Sequence, residues 1–405
     1  TVNVTSSGAL MDSEVTNLAA VKAFATTDYA TSAQGTTADA ALPKAGGTIT
    51  GDLAIDGDTT LAAYNNTTAI TGNAVDVFIY DTSNDSDGGA WRKRTQATSW
   101  YNETLNTATR GSRKEFPSVA VIVAESNKVT IYDGDTPDLD MWMVFSQGTW
   151  STYALTCNTS LTSVVAMNGT ISTGSTPFGY KMINFTSEYC EFREYGYHRA
   201  LYGNVVARNG GLTLSGDLGS GGWLVHDKVN DIAMTVLPNA PIDSTTGLPI
   251  PTIAVATDGG VSVIKDDGSI VDIVSSTAAG GGYDPEHVAF DKDNRLTLVQ
   301  AYDGGAAYLN IFENIPSADV AQALSYSGAT SYTYLDTGVN ISRGSAILAD
   351  LEHAKDEVAL GFNTQLSLLD SIAGSPTKSM VAYITSDYNS GYMTGDIKGA
   401  WLSDT

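Results

Sequence analysis

The sequence predicts a mainly β protein, in which a short N-terminal helical and fibrous segment precedes a β-propeller of about seven blades. Three observations lead to this prediction. A hairpin-like pattern recurs along the chain, 40 glycines are available for tight turns, and residues 1–72 contain few large apolar side chains. We therefore divide the chain into a fibrous trimerisation or attachment segment, residues 1–72, and a propeller-like domain, residues 73–405.

The recurring unit is an apolar run that ends in a small residue, followed by a tight turn and a second run of alternating apolar positions. Its four clearest copies are residues 124–131, 166–173, 207–214 and 256–263, and looser copies are residues 288–298 and 358–368. The clear copies start about 40 to 50 residues apart, which is the length of a propeller blade. A sandwich of two sheets is the alternative way to bury such hairpins.

Closure of the ring would remove the exposed edges of the sheets. The apolar run at residues 75–80 is therefore expected to pair with a late strand at residues 381–385.

The N-terminal segment predicts a helix that needs a partner. Its apolar side chains recur at three-residue steps behind Asp12 or Ser13 as the N-cap, and they are Val15, Leu18, Val21 and Phe24. Such a short helix is marginal in water, and the following residues offer few large apolar side chains. We expect other copies of the same chain to cover it.

Residues 42–51 read L-P-K-A-G-G-T-I-T-G. This string resembles the L-P-K-x-G-G-T-[ML]-T-G element of bacteriophage tail fibres and related virion appendages, with isoleucine where Met or Leu is commoner. The resemblance implies a thin trimeric shaft, to which Leu42, Pro43, Gly46 and Gly47 contribute. The residues themselves fit a shaft, because Pro43 ends a preceding helix and the two glycines allow three backbones to approach closely.

Residues 88–103, continued by residues 110–117, resemble a stretch of predicted structural proteins of marine phages that precedes a propeller-like region. The same part of this acidic chain concentrates basic residues, which are Arg92, Lys93, Arg94, Arg110, Arg113, Lys114 and Lys128. Tryptophan and arginine are strong contact anchors. We therefore predict a surface that binds an acidic partner or a sugar, formed by Trp91, Arg92, Arg94, Trp100 and Tyr101. The alternative is an internal set of salt bridges that balances acidic turns.

Charge and motifs exclude several classes of function. The 45 acidic and 21 basic side chains give a net charge of -24, which disfavours binding to nucleic acid or anionic lipid. No apolar run approaches the length of a membrane span. The nucleophile-elbow, phosphate-loop, dinucleotide and zinc-protease motifs are absent from the sequence, and His198, His226, His287 and His353 are scattered along it. We predict no catalytic residues and no enzyme activity.

Oxygen-rich turns and tyrosines are the remaining features with a functional interpretation. Residues 81–87, 133–135 and 291–294 crowd carboxylates as calcium would require, but none completes a calcium loop, so no metal ligand and no cofactor is assigned. Tyrosines gather in loop-like sequence, namely Tyr189, Tyr195, Tyr197, Tyr202, Tyr383, Tyr388 and Tyr392. They indicate either a surface that binds sugars or proteins, or packing at blade edges.

Together these features predict a virion structural protein, a phage tail fibre or appendage that assembles as a homotrimer on the virion. Its expected partners are other virion proteins and a host-surface glycan or protein. It would mediate attachment to the host or space a receptor-binding tip. Two alternatives remain open. One is a capsid or tail decoration protein, and the other is a glycan-active propeller enzyme, which needs two carboxylates that face each other in a pocket.

Overall fold

The computed structural model describes residues 73–146, 154–156, 160–210, 212–219, 222–275, 284–302, 306–312, 314–324, 348–354, 357–362, 366–370, 380–384 and 397–402. All of them belong to one compact unit of the chain, Thr60–Thr405. The residues predicted to form the trimeric shaft lie outside the described residues, and they are Val15, Leu18, Val21, Phe24, Leu42, Pro43, Gly46 and Gly47. The domain boundary after residue 72 stays a prediction.

The described residues form five sheets. Sheet 1 contains β1 (Ala74–Asp81), β2 (Val119–Glu125), β3 (Lys128–Asp133) and β4 (Met141–Phe145). Sheet 2 contains β5 (Leu161–Met167), β6 (Thr170–Ser175), β7 (Gly179–Asn184), β8 (Cys190–Glu194), β9 (Tyr197–Tyr202) and β10 (Thr213–Leu214). Sheet 3 contains β11 (Val229–Thr235), β12 (Thr252–Thr257), β13 (Gly260–Ile264), β14 (Ile270–Ser275) and β18 (Val320–Leu324). Sheet 4 contains β15 (Asp284–Phe290), β16 (Leu296–Tyr302) and β17 (Ala306–Phe312). Sheet 5 contains β19 (Leu348–Ala354), β20 (Glu357–Phe362), β21 (Leu366–Asp370), β22 (Met380–Ile384) and β23 (Ile397–Leu402).

The sheets are arranged as in a propeller. Strands that follow one another in sequence pair antiparallel within each sheet, apart from β14 and β18, which pair in parallel. The first strands of successive sheets lie against each other in the order β1, β5, β11, β15 and β19. Radial contact through the first strand of each meander is the arrangement of propeller blades. The prediction of a mainly β, propeller-like body is therefore confirmed.

The expected count of about seven blades is wrong. Four of the five sheets have at least four strands, as a complete blade does, so the described residues form four blades and one three-stranded sheet. The first strands begin at residues 74, 161, 229, 284 and 348, more than 50 residues apart. A blade therefore contains more residues than the spacing of the hairpins indicated. Residues 82–118 form a long connection between β1 and β2, and sheet 2 contains six strands.

Most predicted hairpins are confirmed. Residues 124–131, 166–173 and 256–263 contain the β2–β3, β5–β6 and β12–β13 turns, and the looser copies contain β15–β16 and β20–β21. The copy at residues 207–214 is wrong. There Val205–Ala207 is a 3-10 helix, capped by the side chain of Asn204, and β10 pairs with β9 instead.

The hairpins occupy different positions within their blades, because β2–β3 joins second and third strands whereas β5–β6 joins a first and a second strand. The number of residues between successive hairpins therefore does not equal the number of residues in a blade. The expected pairing of residues 75–80 with residues 381–385 is also wrong, since β22 pairs with β21 on one side and with β23 on the other.

Among the described residues, no helix has both the length and the apolar character of a membrane span.

Candidate binding surface

The two tryptophans predicted to anchor a partner lie in the core. Trp91 and Trp100 are both 0% exposed. The Nε1 of Trp91 donates to Asp85 Oδ2 at 2.7 Å, and the Nε1 of Trp100 donates to the backbone oxygen of Phe185 at 2.8 Å. Because a side chain without exposed surface cannot contact a partner, the prediction is corrected for both tryptophans. They instead hold residues 82–118 against sheets 1 and 2 in an aromatic cluster with Phe116, Trp142 and Phe185.

The remaining members of the predicted partner-binding set contact groups of their own chain. Arg92 Nη1 donates to the backbone oxygen of Phe116 at 3.1 Å. Arg94 Nη2 lies 2.9 Å from Asp87 Oδ2 and donates to the backbone oxygen of Thr246 at 3.0 Å. These contacts agree with the alternative, an internal set of salt bridges. Tyr101 donates from its hydroxyl to Glu115 at 3.2 Å. A role of Arg92, Arg94 and Tyr101 towards a partner stays a prediction.

The acidic turns considered for calcium use their carboxylates inside the chain. Asp133 and Asp135 both accept hydrogen bonds from Arg113 Nη1, at 2.9 and 2.6 Å. Asp291 accepts from the backbone N–H of Arg295 at 2.8 Å and also from its guanidinium. In the part of the chain that the structure describes, no group of three or more His, Cys, Asp or Glu residues is placed to hold a metal ion. Calcium binding stays a prediction without assigned ligands.

Four of the tyrosines singled out in the sequence are exposed on one hairpin. We call residues 189–202, which contain β8 and β9, the tyrosine hairpin. Tyr189, Tyr195, Tyr197 and Tyr202 are 40, 64, 47 and 60% exposed. The hairpin forms the outer part of sheet 2, where β10 pairs with only the last two residues of β9. Tyr383, Tyr388 and Tyr392 belong to the part of the chain whose side chains are not described.

The register places the four tyrosines at opposite ends of the hairpin. Tyr197 pairs with Glu194 beside the turn that contains Tyr195, whereas Tyr189 and Tyr202 flank the Cys190–Leu201 pair at the other end. Since a strand rises about 3.3 Å per residue, the two ends lie roughly 15 to 20 Å apart. The hairpin therefore offers two separate aromatic contact points.

A buried charge network lies beneath the Tyr189 end. Glu191 Oε1 accepts from Arg193 Nε at 2.9 Å, and Glu191 Oε2 accepts from the Tyr189 hydroxyl at 3.0 Å and lies 3.3 Å from His198 Nε2. Burial alone would raise the pKa of Glu191, but the hydrogen bond from His198 and the charge of Arg193 outweigh it and lower that pKa to about 2. The phenol of Tyr189 is therefore held by a carboxylate that stays charged.

At Glu194, beside the turn of the hairpin, the pKa of the carboxyl is shifted in the opposite direction from that of Glu191. Burial, with a smaller effect from the charge of Asp227, raises the pKa of Glu194. Two carboxylates three residues apart on β8 thus differ in whether the folded protein favours their charged form.

Sequence analysis missed a set of polar residues where the first strands of sheets 1 to 4 meet. We call Asp76, Ser163, Asp231 and His287 the polar belt. Each directly follows a β-bulge in the first strand of its sheet. Asp76 Oδ2 accepts from the backbone N–H of Val164 at 2.7 Å. The belt residues line a cavity of about 410 Å³ between β1, β5, β11 and β15.

Asp231 makes the most contacts in the belt. Its Oδ1 accepts from the Ser163 hydroxyl at 2.9 Å, and its Oδ2 accepts from the backbone N–H of Val288 at 3.0 Å. His287 Nδ1 lies 3.5 Å from the same Oδ2. The belt therefore joins the first strands of sheets 1, 2, 3 and 4 to one another. A signal was present in the sequence, because each belt residue precedes a Val or Ile, but only the bulge shows that these positions are equivalent.

No protein-family model and no curated protein sequence matches the chain. Among solved structures, it is similar to the extracellular domain of a hybrid two-component system from B. thetaiotaomicron, at 13% identity and a TM-score of 0.33, over 69% of this chain and 33% of that chain. It is also similar to a functionally unknown protein from Desulfotomaculum acetoxidans, at 10% identity and a TM-score of 0.34, over 70% of this chain and 86% of that chain. A third similar structure is the Cps50 (Swd1) β-propeller domain of Myceliophteria thermophila, at 10% identity and a TM-score of 0.32, over 66% of this chain and 90% of that chain. The match spans about a third of the first of these chains, and at such low scores the similarities assign no function.

Proposed function

We propose that this chain is a virion appendage protein of the bacteriophage tail-fibre type, which assembles as a homotrimer and attaches through its propeller-like body to a host-surface glycan or protein. The observation that carries the attachment is the exposure of four tyrosines on the tyrosine hairpin. The resemblance of residues 42–51 to a fibre shaft element supports the trimer and the virion location.

Exposed tyrosines on strands suit attachment for a physical reason. A tyrosine offers a large flat apolar face and a hydroxyl, and only two side-chain torsions must be fixed when it binds. Within the tyrosine hairpin, Glu191 pairs with Arg193 and accepts a hydrogen bond from the hydroxyl of Tyr189, which lowers the conformational entropy that this ring loses when a partner binds. The net charge of -24 favours neutral or basic partners over anionic ones.

The roles of two carboxylates in the central cavity support a binding function without catalysis. Asp76 and Asp231 in the central cavity each accept hydrogen bonds from a neighbouring sheet, which is a structural task. This use of the two carboxylates supports our proposal of a binding protein over the alternative of a glycan-cleaving enzyme.

The trimer is tested by sedimentation of the full chain. The expected mass is that of three copies, because residues 12–53 cannot bury their apolar side chains alone. The double variant Val21→Asp, Phe24→Asp should sediment as one copy, whereas the control Lys22→Ala should remain a trimer. A full chain that sediments as a single copy would overturn the trimer and the fibre assignment with it.

Attachment is tested by binding of the fluorescently labelled full chain to host cells. Tyr197→Ala combined with Tyr202→Ala should reduce binding, whereas Ile79→Ala, which removes an equally exposed apolar side chain from sheet 1, should not. Equal binding by both variants and the unmodified chain would place the attachment surface elsewhere.

A further inference from the structure

A cleft lies beside the Tyr189 end of the tyrosine hairpin. It has a volume of about 360 Å³ and runs between sheet 2 and the loop of residues 241–251. Met182, Leu248 and Pro249 give it apolar walls, and Tyr189 lines one side. We call it the Tyr189 cleft.

The loop that closes the cleft is fixed to the rest of the body. Asn168 Nδ2 donates to the backbone oxygen of Pro249 at 3.0 Å, and Arg94 Nη2 donates to that of Thr246 at 3.0 Å. Within the loop, the backbone N–H of Asp243 donates to the oxygen of Leu248 at 2.9 Å. The walls of the Tyr189 cleft are therefore set by hydrogen bonds on both sides.

The polar groups of the cleft are neutral or acidic. Hydroxyls and a carboxylate line it, and they belong to Thr170, Ser187, Asp243, Thr245 and Thr246. No Lys or Arg is among the described residues that line it. Hydroxyl groups of a ligand can donate to the carboxylate of Asp243, whereas an anionic ligand would be repelled by that carboxylate and by the acidic chain.

Tyr189 has the features of a preorganised stacking platform. The residue is 40% exposed, and its hydroxyl donates to Glu191, which in turn accepts from Arg193. Fixing an aromatic side chain before binding reduces the conformational entropy that the ligand must remove. The apolar face of a sugar ring packs well on such a surface, while its hydroxyls reach polar groups at the rim.

From this geometry we infer that the Tyr189 cleft binds a neutral oligosaccharide, with Tyr189 as the stacking residue, Asp243 as an acceptor for sugar hydroxyls and Glu191 as a positioning residue for Tyr189. The inference rests on the proposed function, because it names the class of host-surface molecule to which the body would attach.

The test is titration calorimetry of the full chain at pH 7 with maltohexaose, cellohexaose and mannohexaose, and with sulfated maltohexaose as the anionic counterpart. We expect at least one neutral hexasaccharide to bind and the sulfated one not to bind. Because an aromatic stacking contact is worth about 1.5 kcal/mol, Tyr189→Ala should weaken binding roughly tenfold. Ile79→Ala is the control, because it removes an exposed apolar side chain from sheet 1, away from the cleft, and it should leave the affinity unchanged.

A double-mutant cycle separates positioning from general damage. Glu191→Gln should weaken binding when Tyr189 is present and should add no further loss to Tyr189→Ala, because its effect passes through that ring. Additive losses would contradict the positioning role. The inference is overturned if no neutral hexasaccharide binds up to about 10 mM, which corresponds to a binding free energy of only about 3 kcal/mol. It is also overturned if Ile79→Ala weakens binding as much as Tyr189→Ala.

The outcomes for the cleft and for the proposed function are distinguishable. A trimer that attaches to host cells but binds no neutral hexasaccharide refutes the cleft alone. A monomer that binds the sugar refutes the virion appendage and leaves the cleft intact.

Discussion

The two carboxylates of β8 give opposite predictions for the same substitution. Glu191→Gln removes the charge that compensates the buried guanidinium of Arg193. The pKa of Glu191 is lowered from its ordinary 4.5 to about 2. At about 1.4 kcal/mol for each unit, the carboxylate contributes on the order of 3 kcal/mol to the free energy of unfolding at pH 7. Loss of one partner from a buried ion pair has a similar effect, about 3 to 5 kcal/mol.

The sign of the pH dependence follows from the direction of the shift. A carboxylate whose pKa is lowered by folding stabilises the protein above its ordinary pKa, and this contribution disappears as the pH falls from about 4.5 towards 2. The difference in the free energy of unfolding between the unmodified chain and Glu191→Gln should therefore be largest at pH 7 and shrink in that interval. Glu194→Gln is the control, because burial raises the pKa of Glu194 and neutralisation should leave stability unchanged or slightly higher at pH 7.

The assay is urea unfolding followed by tryptophan fluorescence, since Trp91, Trp100 and Trp142 lie in the core of sheets 1 and 2. All chains should be compared at one protein concentration. A difference between Glu191→Gln and the unmodified chain that is constant from pH 2 to 6 would refute the reasoning, because the loss would then not come from the charge. Equal destabilisation by Glu194→Gln would refute it as well.

Two further predictions concern the body. Asp231→Ala leaves polar groups of two neighbouring sheets without a partner, so it should lower the free energy of unfolding by about 3 kcal/mol, as measured by urea unfolding. Asp293→Ala removes only an exposed ion pair with Lys292 and should leave the free energy of unfolding nearly unchanged. Equal effects would show that the polar belt does not couple the sheets. Gly169→Ala should be more destabilising than Gly268→Ala in thermal unfolding. Both glycines have positive φ, at +71° and +83°, but a Cβ on Gly169 would lie 3.1 Å from the ring of Trp91, whereas one on Gly268 meets nothing within 4 Å. A larger loss for Gly268→Ala would contradict the close packing of Trp91.

Hairpins were predictable because they are local. The turn at Asn168 and Gly169 combines two residues that tolerate positive φ, and both adopt it, at 51° and 71°. The number of blades cannot be read from single hairpins, because a hairpin can join the first and second strands of a sheet or its second and third strands. The failed copy at residues 207–214 shows the limit of the pattern, since Asn204 caps a 3-10 turn where alternating apolar residues indicated a strand.

The candidate site was predictable in part for a related reason. Clustered aromatic residues indicate packing, but their sequence does not say whether they pack inside or outside. Trp91 and Trp100 lie in a long connection between strands, which is ordinarily a surface position, yet each indole N–H finds a buried acceptor. The tyrosines of the tyrosine hairpin also stand in loop-like, polar sequence, yet they are exposed on the outer strands of sheet 2.

The polar belt identifies the structural repeat of this chain, which is the first strand of each sheet. A β-bulge precedes the equivalent residue in the first strand of all five sheets, at Asp76, Ser163, Asp231, His287 and Asp350. In each case an aliphatic residue follows, but the same pair of residue types recurs on outer strands, for example at Thr252 and Ile253, so the bulge in the first strand is what identifies the equivalent positions. The reason is physical. A turn closes any pair of adjacent strands, whereas the residue after the bulge lies where the first strands of neighbouring sheets meet, and Asp76, Ser163 and Asp231 each form a hydrogen bond to a neighbouring first strand there.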